Sequence, residues 1–315
     1  MLLRVLRRIG VFAVTVVAAS VVAFLLLSIL PGNAARIALG VQATEEQVRV
    51  QEALMGLDRP FWVRYADWFG HLLVGDFGTS AVSGQAIGPE IADALGVTVI
   101  LVGTSVLLAV LFAVPFGLLT AVRQGRPGGV LLSAIGQAGV AIPGFLAGIL
   151  LVTVFAVQLR VLPAGGWVDP GEDALEFLRH LVLPAVALGL VQGAVLSRYV
   201  RSAVLEVMRE DFLRTARAVG WTKGRALLRH GLRNAAIPVL TVIGLQIATL
   251  LIGAVVIERV FSLPGLGSLL LEKVALRDLP AVQGVVMVLV GLVLVLNLLI
   301  DLAYTVIDPR LRSTA

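Results

Sequence analysis

Cysteine is absent from all 315 residues, which excludes disulfides and thiolate metal sites. The three histidines, His71, His180 and His230, are isolated and form no pair at metal-ligand spacing. Charge is scarce: Asp, Glu, Lys and Arg make up 14% of the chain, against about 25% in soluble domains. The two lysines, Lys223 and Lys273, precede Gly224 and Val274, not the Ser or Thr that ends a phosphate-binding loop. There is no Walker A loop, so any ATP hydrolysis must come from another chain. Gly265 and Gly267 in Pro264-Gly265-Leu266-Gly267 lack a preceding strand and read as a turn.

Apolar sequence is what remains. Hydrophobic residues make up 58% of the chain, with a mean hydropathy of +0.98. They fall in blocks of about 20, long enough to cross roughly 30 Å of hydrocarbon. Six spans are expected, at about 10–30, 97–122, 130–157, 181–197, 237–257 and 281–303. The fold class is therefore an all-α integral membrane protein with six transmembrane helices.

Orientation follows from the positions of the basic residues. Arg4, Arg7 and Arg8 precede the first span and hold the N-terminus in the cytoplasm. Alternation then makes 123–129, 198–236 and 304–315 cytoplasmic, and 31–96, 158–180 and 258–280 external. Sixteen of the 25 Lys and Arg fall inside and nine outside; four acidic residues fall inside and fifteen outside, with Asp301 counted in the last span. The net charge of +5 thus reports membrane orientation and gives no reason to expect nucleic acid. The chain divides into an N-terminus and first span (1–30), an external segment (31–96), a membrane core (97–307) and a cytoplasmic tail (308–315). Ala34 and Ala35 follow the first span, but its apolar stretch is too long for a signal-peptide core of about 7–15 residues, so it reads as an uncleaved anchor.

Within 31–96, Thr44 and Gln47 have capping-box spacing and open a helix with Val50, Leu54 and Leu57 on one face. Asp58-Arg59-Pro60 breaks it, and Pro60 suits the first turn of the next helix. That helix carries Phe61, Tyr65, Trp68, Phe69 and Leu72 at helical spacing. It reads as an amphipathic helix in the outer headgroup layer, or alternatively as a docking surface for an external partner.

Polar residues inside spans are few. Gln137, Gln192, Thr241, Gln246 and Thr249 are candidates to line a translocation path. The plainer alternative is helix–helix hydrogen bonding, to which Gly189-x-x-x-Gly193 beside Gln192 also points. Pro143-Gly144 is placed to kink the third span near mid-membrane.

The loop 198–236 is long and dense in charge. Arg198–Val219 can extend as a helix, Gly220 supplies a stop, and Thr222 can cap a second helix through Arg233. Pro238 then falls in the first turn of the fifth span. Two short helices around a glycine make a compact knob; an ordinary basic loop on anionic headgroups is the alternative.

Arg214-Thr215-Ala216-Arg217-Ala218-Val219-Gly220, followed by Arg229-His230-Gly231-Leu232-Arg233-Asn234-Ala235-Ala236-Ile237-Pro238, resembles the coupling loop of bacterial peptide-importer permeases. The wider group is the type I ABC importer permeases, with their Glu-Ala-Ala…Gly loop. Arg214 and Thr215 stand where the general motif has Glu and Ala, and the Gly-to-Pro interval is longer, as in the dipeptide and oligopeptide branch. Further segments are similar to that branch in order: Ile29-Leu30-Pro31-Gly32-Asn33, where the family often has Asp at the last position, Gly56-Leu57-Asp58-Arg59-Pro60 and Gly75-Asp76-Phe77-Gly78-Thr79-Ser80. Glu258-Arg259-Val260-Phe261-Ser262-Leu263-Pro264-Gly265-Leu266-Gly267 and Asp308-Pro309-Arg310-Leu311-Arg312 complete the series. The long segment before the second span resembles the first of the two permeases that pair in such systems.

The resemblance implies a multi-pass subunit of the bacterial inner membrane with no catalytic or metal site of its own. It implies a second permease as partner, two ATPase subunits that bind ATP and magnesium, and an external solute-binding protein. The coupling-loop residues would meet the ATPase. Dipeptides, oligopeptides, glutathione, nickel complexes and oligosaccharides all stay open as substrates.

Two rival functions need groups that are scarce here. A secondary transporter keeps ionisable residues in its spans. Asp301 alone comes close, near the end of the last span with Asn297, Tyr304 and Asp308 on the same face. An intramembrane enzyme needs a nucleophile with its base or paired carboxylates within the bundle, and the spans contain neither.

The topology is tested with single cysteines in this cysteine-free chain. In intact cells an impermeant maleimide should label Gln47→Cys and spare Arg225→Cys; the reverse pattern would overturn the orientation.

Overall fold

In hydrocarbon a backbone must satisfy its own amides, and helices do this within one segment. The computed structural model describes residues 2–29, 34–40, 42–54 and 56–307, and an isolated bridge between Thr79 and Ala86 is the one β feature among them. The helices are α1 (Leu2–Ile29), α2 (Ala34–Leu39), α3 (Glu45–Leu54), α4 (Phe61–Leu73), α5 (Ile87–Val122), α6 (Pro127–Ala141) and α7 (Gly144–Leu151), the last continued by a π-helical segment, Val152–Gln158. Then come α8 (Ala174–Val207), α9 (Asp211–Ala218), α10 (Lys223–Ala226) with a π-helical run Leu227–Gly231, α11 (Leu232–Val260), α12 (Leu266–Ala275) and α13 (Leu279–Ile307).

Four of these are long and apolar enough to cross a membrane unbroken, within α1, α5, α8 and α13. The other two expected spans are bent pairs. The third turns by 99° between Ala141 and Gly144, where Ile142 and Pro143 adopt extended backbone, a sharper break than a kink. The fifth bends by 49° between Gln246 and Ala248. Leu30, Pro31, Gly32, Asn33 and Asp308–Arg312 lie outside the described residues, as do the side chains of Asp301 and Tyr304.

Contacts divide the chain into two units, Met1–Thr98 with Pro264–Val295 and Val99–Leu263 with Leu296–Ala315. In the first, the Thr44 capping box forms: the Thr44 N–H donates to Gln47 Oε1 at 2.9 Å and the Gln47 N–H to Thr44 Oγ1 at 3.3 Å. The buried residue of α3 is Val48; Val50 and Leu54, which share one face by helical spacing, are exposed. Pro60 stands at the N-cap of α4. Phe61, Tyr65 and Trp68 surround Phe24 of α1, with ring centroids 5.3, 5.6 and 5.3 Å away, and the Ser20 and Tyr65 hydroxyls are hydrogen-bonded at 2.8 Å. Three residues of the aromatic stripe thus pack on α1, while no residue of α4 is fully buried.

A polar clasp closes the same unit. Fully buried Asp278 accepts from the Ser80 hydroxyl at 2.5 Å and the Ala81 N–H at 3.1 Å. Lys273, almost buried, meets Glu90 at 2.6 Å, and Thr98 Oγ1 accepts from the Leu266 N–H at 2.8 Å. Beneath them Ile87, Ile91, Ala94, Leu266, Ala281 and Val285 form one apolar cluster.

In the second unit α8 is the hub. Asp173 caps it, accepting from the Leu175 and Glu176 N–H groups at 2.9 and 3.0 Å. Small residues let neighbouring backbones come close. A Cβ at Gly189 would fall 3.0 Å from the Ser105 carbonyl oxygen of α5, and one at Gly193 would fall 3.3 Å from that of Ala109. From the α5 side, a Cβ at Gly117 would fall 2.6 Å from the Ser197 carbonyl oxygen. This seam is the helix–helix role weighed for the Gly189–Gly193 pair.

Gly103, also on α5, faces open space and gives a matched control. Gly117→Val should therefore lower the thermal midpoint of the purified chain, by overpacking worth about 1–3 kcal/mol, while Gly103→Val leaves it nearly unchanged. Equal midpoints would contradict the seam.

Candidate functional site: the charged loop between α8 and α11

The loop does not begin as one long helix from Arg198 to Val219. Helix α8 runs to Val207, the chain turns over Met208-Arg209-Glu210, and α9 starts at Asp211. Nine residues separate Val204 from Leu213, so at 3.6 residues per turn a straight helix would put them about 180° apart. The turn brings both inward: Leu213 joins Val204, Val207, Ala226, Leu227 and Ala235 in one buried cluster. Asp211 in the first turn and Arg217 in the last match the helix dipole.

Gly220 ends α9 with φ +98°, where a residue bearing Cβ is strained. The Gly220 N–H donates to the Arg217 carbonyl at 3.0 Å and the Trp221 N–H to that of Ala216 at 3.2 Å, a Schellman cap. The Arg225 N–H then donates to Thr222 Oγ1 at 3.4 Å, so Thr222 opens the second helix as expected. That helix does not stop at Arg233. It passes through the π-helical run directly into α11, so Pro238 lies inside α11 and not in its first turn.

The knob therefore has a buried foot and a charged crown. Arg214, Thr215, Arg217 and Ala218 are exposed, Ala216 is half-buried against the cluster, and Val219 beside Gly220 is 75% exposed. Arg214 pairs with Asp211 at 3.3 Å, fully on the surface. Arg229, Asn234 and Pro238 are exposed; the side chains of Lys223, His230 and Arg233 lie outside the described residues. Trp221 is the residue the sequence reading missed. Arg225 and Arg229 sit over its ring at 5.1 and 5.5 Å, and it packs on the buried cluster. The signal was present as one aromatic with arginines four and eight residues on, a single helical face.

The five span residues proposed for a path are not gathered into one site. Gln137 lines a cavity of about 110 Å³ among α5, α6 and α8, together with Ser133, Arg198 and Arg201; the other four do not. Gln192 is buried in α8, between the two seam glycines. Gln246 stands at the bend of α11 with its Nε2 buried and without a hydrogen-bond partner, while Thr241 and Thr249 are exposed. Among the described residues no three His, Asp or Glu side chains are placed to hold a metal ion.

Residues 113–313 match the family described as binding-protein-dependent transport system inner membrane component, and residues 1–97 match that family's N-terminal membrane component. The chain is 38% identical over 312 residues to the glutathione transport system permease protein GsiC of Salmonella typhimurium, covering 99% of each chain. The Escherichia coli K12 protein of the same name is 36% identical over the same length. Such a match favours neither the secondary transporter nor the intramembrane enzyme. A helical membrane chain with a capped, charged knob and a family match over nearly its whole length belongs to the binding-protein-dependent inner membrane components and is the permease of an ABC importer.

Proposed function

We propose that this permease takes up small peptides, glutathione among them, as one half of a paired translocation path driven by separate ATPase subunits. The observation that carries the coupling role is the knob itself, a Schellman-capped helix whose foot is buried and whose arginines and Val219 are left exposed. A loop that met only lipid headgroups would need positive charge but no defined turn. The full-length likeness to glutathione permeases supports the substrate class. On this reading both termini are cytoplasmic, ATP and magnesium bind the partner ATPases, and an external binding protein delivers the substrate. ATP then shifts the equilibrium between inward- and outward-open states of the paired permeases.

Gly220→Val tests the coupling role. Nothing lies within 4 Å of a Cβ at Gly220, so a substitution acts through φ alone. Holding valine there costs about 1–3 kcal/mol, whereas Gly220→Asn keeps a residue that tolerates this conformation. The valine variant should insert at normal levels but lose uptake and ATPase co-purification, and the asparagine variant should keep much of both. Arg217→Glu should act like valine. Normal uptake by Gly220→Val with full ATPase co-purification would count against the knob and leave the membrane fold untouched.

A further inference from the structure

Two arginines of α8 one helical turn apart, half-buried Arg201 and exposed Arg198, line the cavity among α5, α6 and α8, and none of its ten lining residues is acidic. Arg201 Nε is buried and makes no hydrogen bond. An unpaired buried donor on a charged group is costly, so this geometry favours a ligand that accepts from it. Thr120, Ser133 and Ser197 donate to the Phe116, Gly129 and Ala194 carbonyls at 2.7, 2.9 and 2.8 Å, and as neutral groups they bring no counter-charge to the arginines.

The position of the cavity in the helices favours one kind of anion. Thr120 lies two residues before the end of α5, and Ser133 six residues into α6. At 1.5 Å per residue, Thr120 and Ser133 stand within about 10 Å of the 123–126 turn, which on the expected topology lies at the cytoplasmic headgroup layer. Arg123 and Arg126 in that turn mark the same level. Beside it, Val130, Leu131 and Ile135 of α6 are exposed apolar side chains. A charged pocket at headgroup depth with an apolar flank fits a phospholipid whose phosphate sits on the arginines and whose chains run along α6. We propose that this cavity is a binding site for the phosphate headgroup of an anionic phospholipid, held by Arg201 and Arg198. The site is distinct from the knob, and the permease reading stands whether or not the lipid binds.

The cysteine-free chain allows a direct test. Ser133→Cys places one small thiol in the cavity, and Leu131→Cys places one on the exposed face of the same helix. The full chain is reconstituted in nanodiscs of phosphatidylcholine, with or without one quarter phosphatidylglycerol, and alkylated with a membrane-permeant maleimide. Phosphatidylglycerol should slow alkylation of Cys at 133 by about tenfold, the scale of one charge-assisted contact, and leave position 131 unchanged. Adding Arg201→Gln should abolish the protection, Arg201→Lys should retain part of it, and Arg123→Gln with Arg126→Gln should leave it intact. Equal protection at 131, or loss of protection in the turn double variant, would mean only a diffuse basic surface and would overturn the site. Protection in phosphatidylcholine discs by inorganic phosphate would make it a free-anion site. Protection there by glutathione would make it part of the substrate path. Either result also overturns the lipid proposal. Should Arg201→Gln fail to fold, the comparison of the two lipids at positions 133 and 131 still decides.

Discussion

Close backbone approach along α8 is the constraint on which the second unit depends. Lipid tails are as apolar as leucine, so no hydrophobic force presses one membrane helix against another. Association has to come from van der Waals contact, and contact requires that backbones meet. Gly189 and Gly193 admit α5 to within touching distance of α8, and Gly117 does the same from the α5 side. Gly139 of α6 lies against Ala194, and Gly253 of α11 against Leu188, where a Cβ on either glycine would come within 3.0 Å. One 34-residue helix is thereby packed by three others, and both the anion cavity and the bed of the knob are built on its lower half.

The first unit solves a different problem. Its helices are joined by segments far apart in sequence, which apolar contact alone would leave free to slip in register. Asp278 fixes that register by holding the 80–81 turn across 198 positions of sequence. Burying a carboxylate costs several kcal/mol unless its oxygens are satisfied, so the arrangement is all-or-none. Lys273 with Glu90 repeats the device a few residues away, and Thr98 holds the start of α12. The segments at 75–80 and 264–267, noticed in the sequence for their resemblance, are thus parts of one structure.

Much of this was legible because it rests on local chemistry. Runs of apolar residues located four unbroken candidate spans and two bent helix pairs, Thr44 and Gln47 announced their own capping box, and Gly220 announced a helix end. What stayed hidden depends on partners distant in sequence. Asp278 reads as one more exposed acid until Ser80 is beside it. Val50 and Leu54 follow helical spacing yet are exposed, since Val48 is the residue that finds a packing partner. The stop at Val207 was missed because Met208-Arg209-Glu210 contains neither proline nor glycine, and tertiary burial of Leu213 overrides its helical propensity. Pro238 reads as a helix start because proline favours first turns, but in a membrane helix its lost hydrogen bond is tolerated in the interior. Path residues were least legible, as a glutamine facing a channel and one bonding a neighbouring helix look alike in sequence.

These observations bear on how a chain with no phosphate-binding loop could take part in ATP-driven import. On the proposed coupling role the chain transmits, and transmission needs a stiff element joining the partner surface to the membrane interior. Helix α8 has that form. At 1.5 Å per residue its 34 residues span about 50 Å, with Gln192 and the glycine seam in the middle and Val204 and Val207 beneath the knob at one end. The second link leaves the knob from the other side, where α10 passes without a stop into α11 and reaches Gln246 at the bend. On the proposed coupling role, displacement of α9 would enter both helices through the single cluster of Leu213, Val204, Leu227 and Ala235. On that role the cluster would matter more to transmission than the exposed arginines, because a crown can bind a partner yet move nothing if its foot is loose. Trp221 belongs with the foot: its ring packs on the cluster while Arg225 and Arg229 cover its outer side, tying α10 to the turn that Gly220 makes.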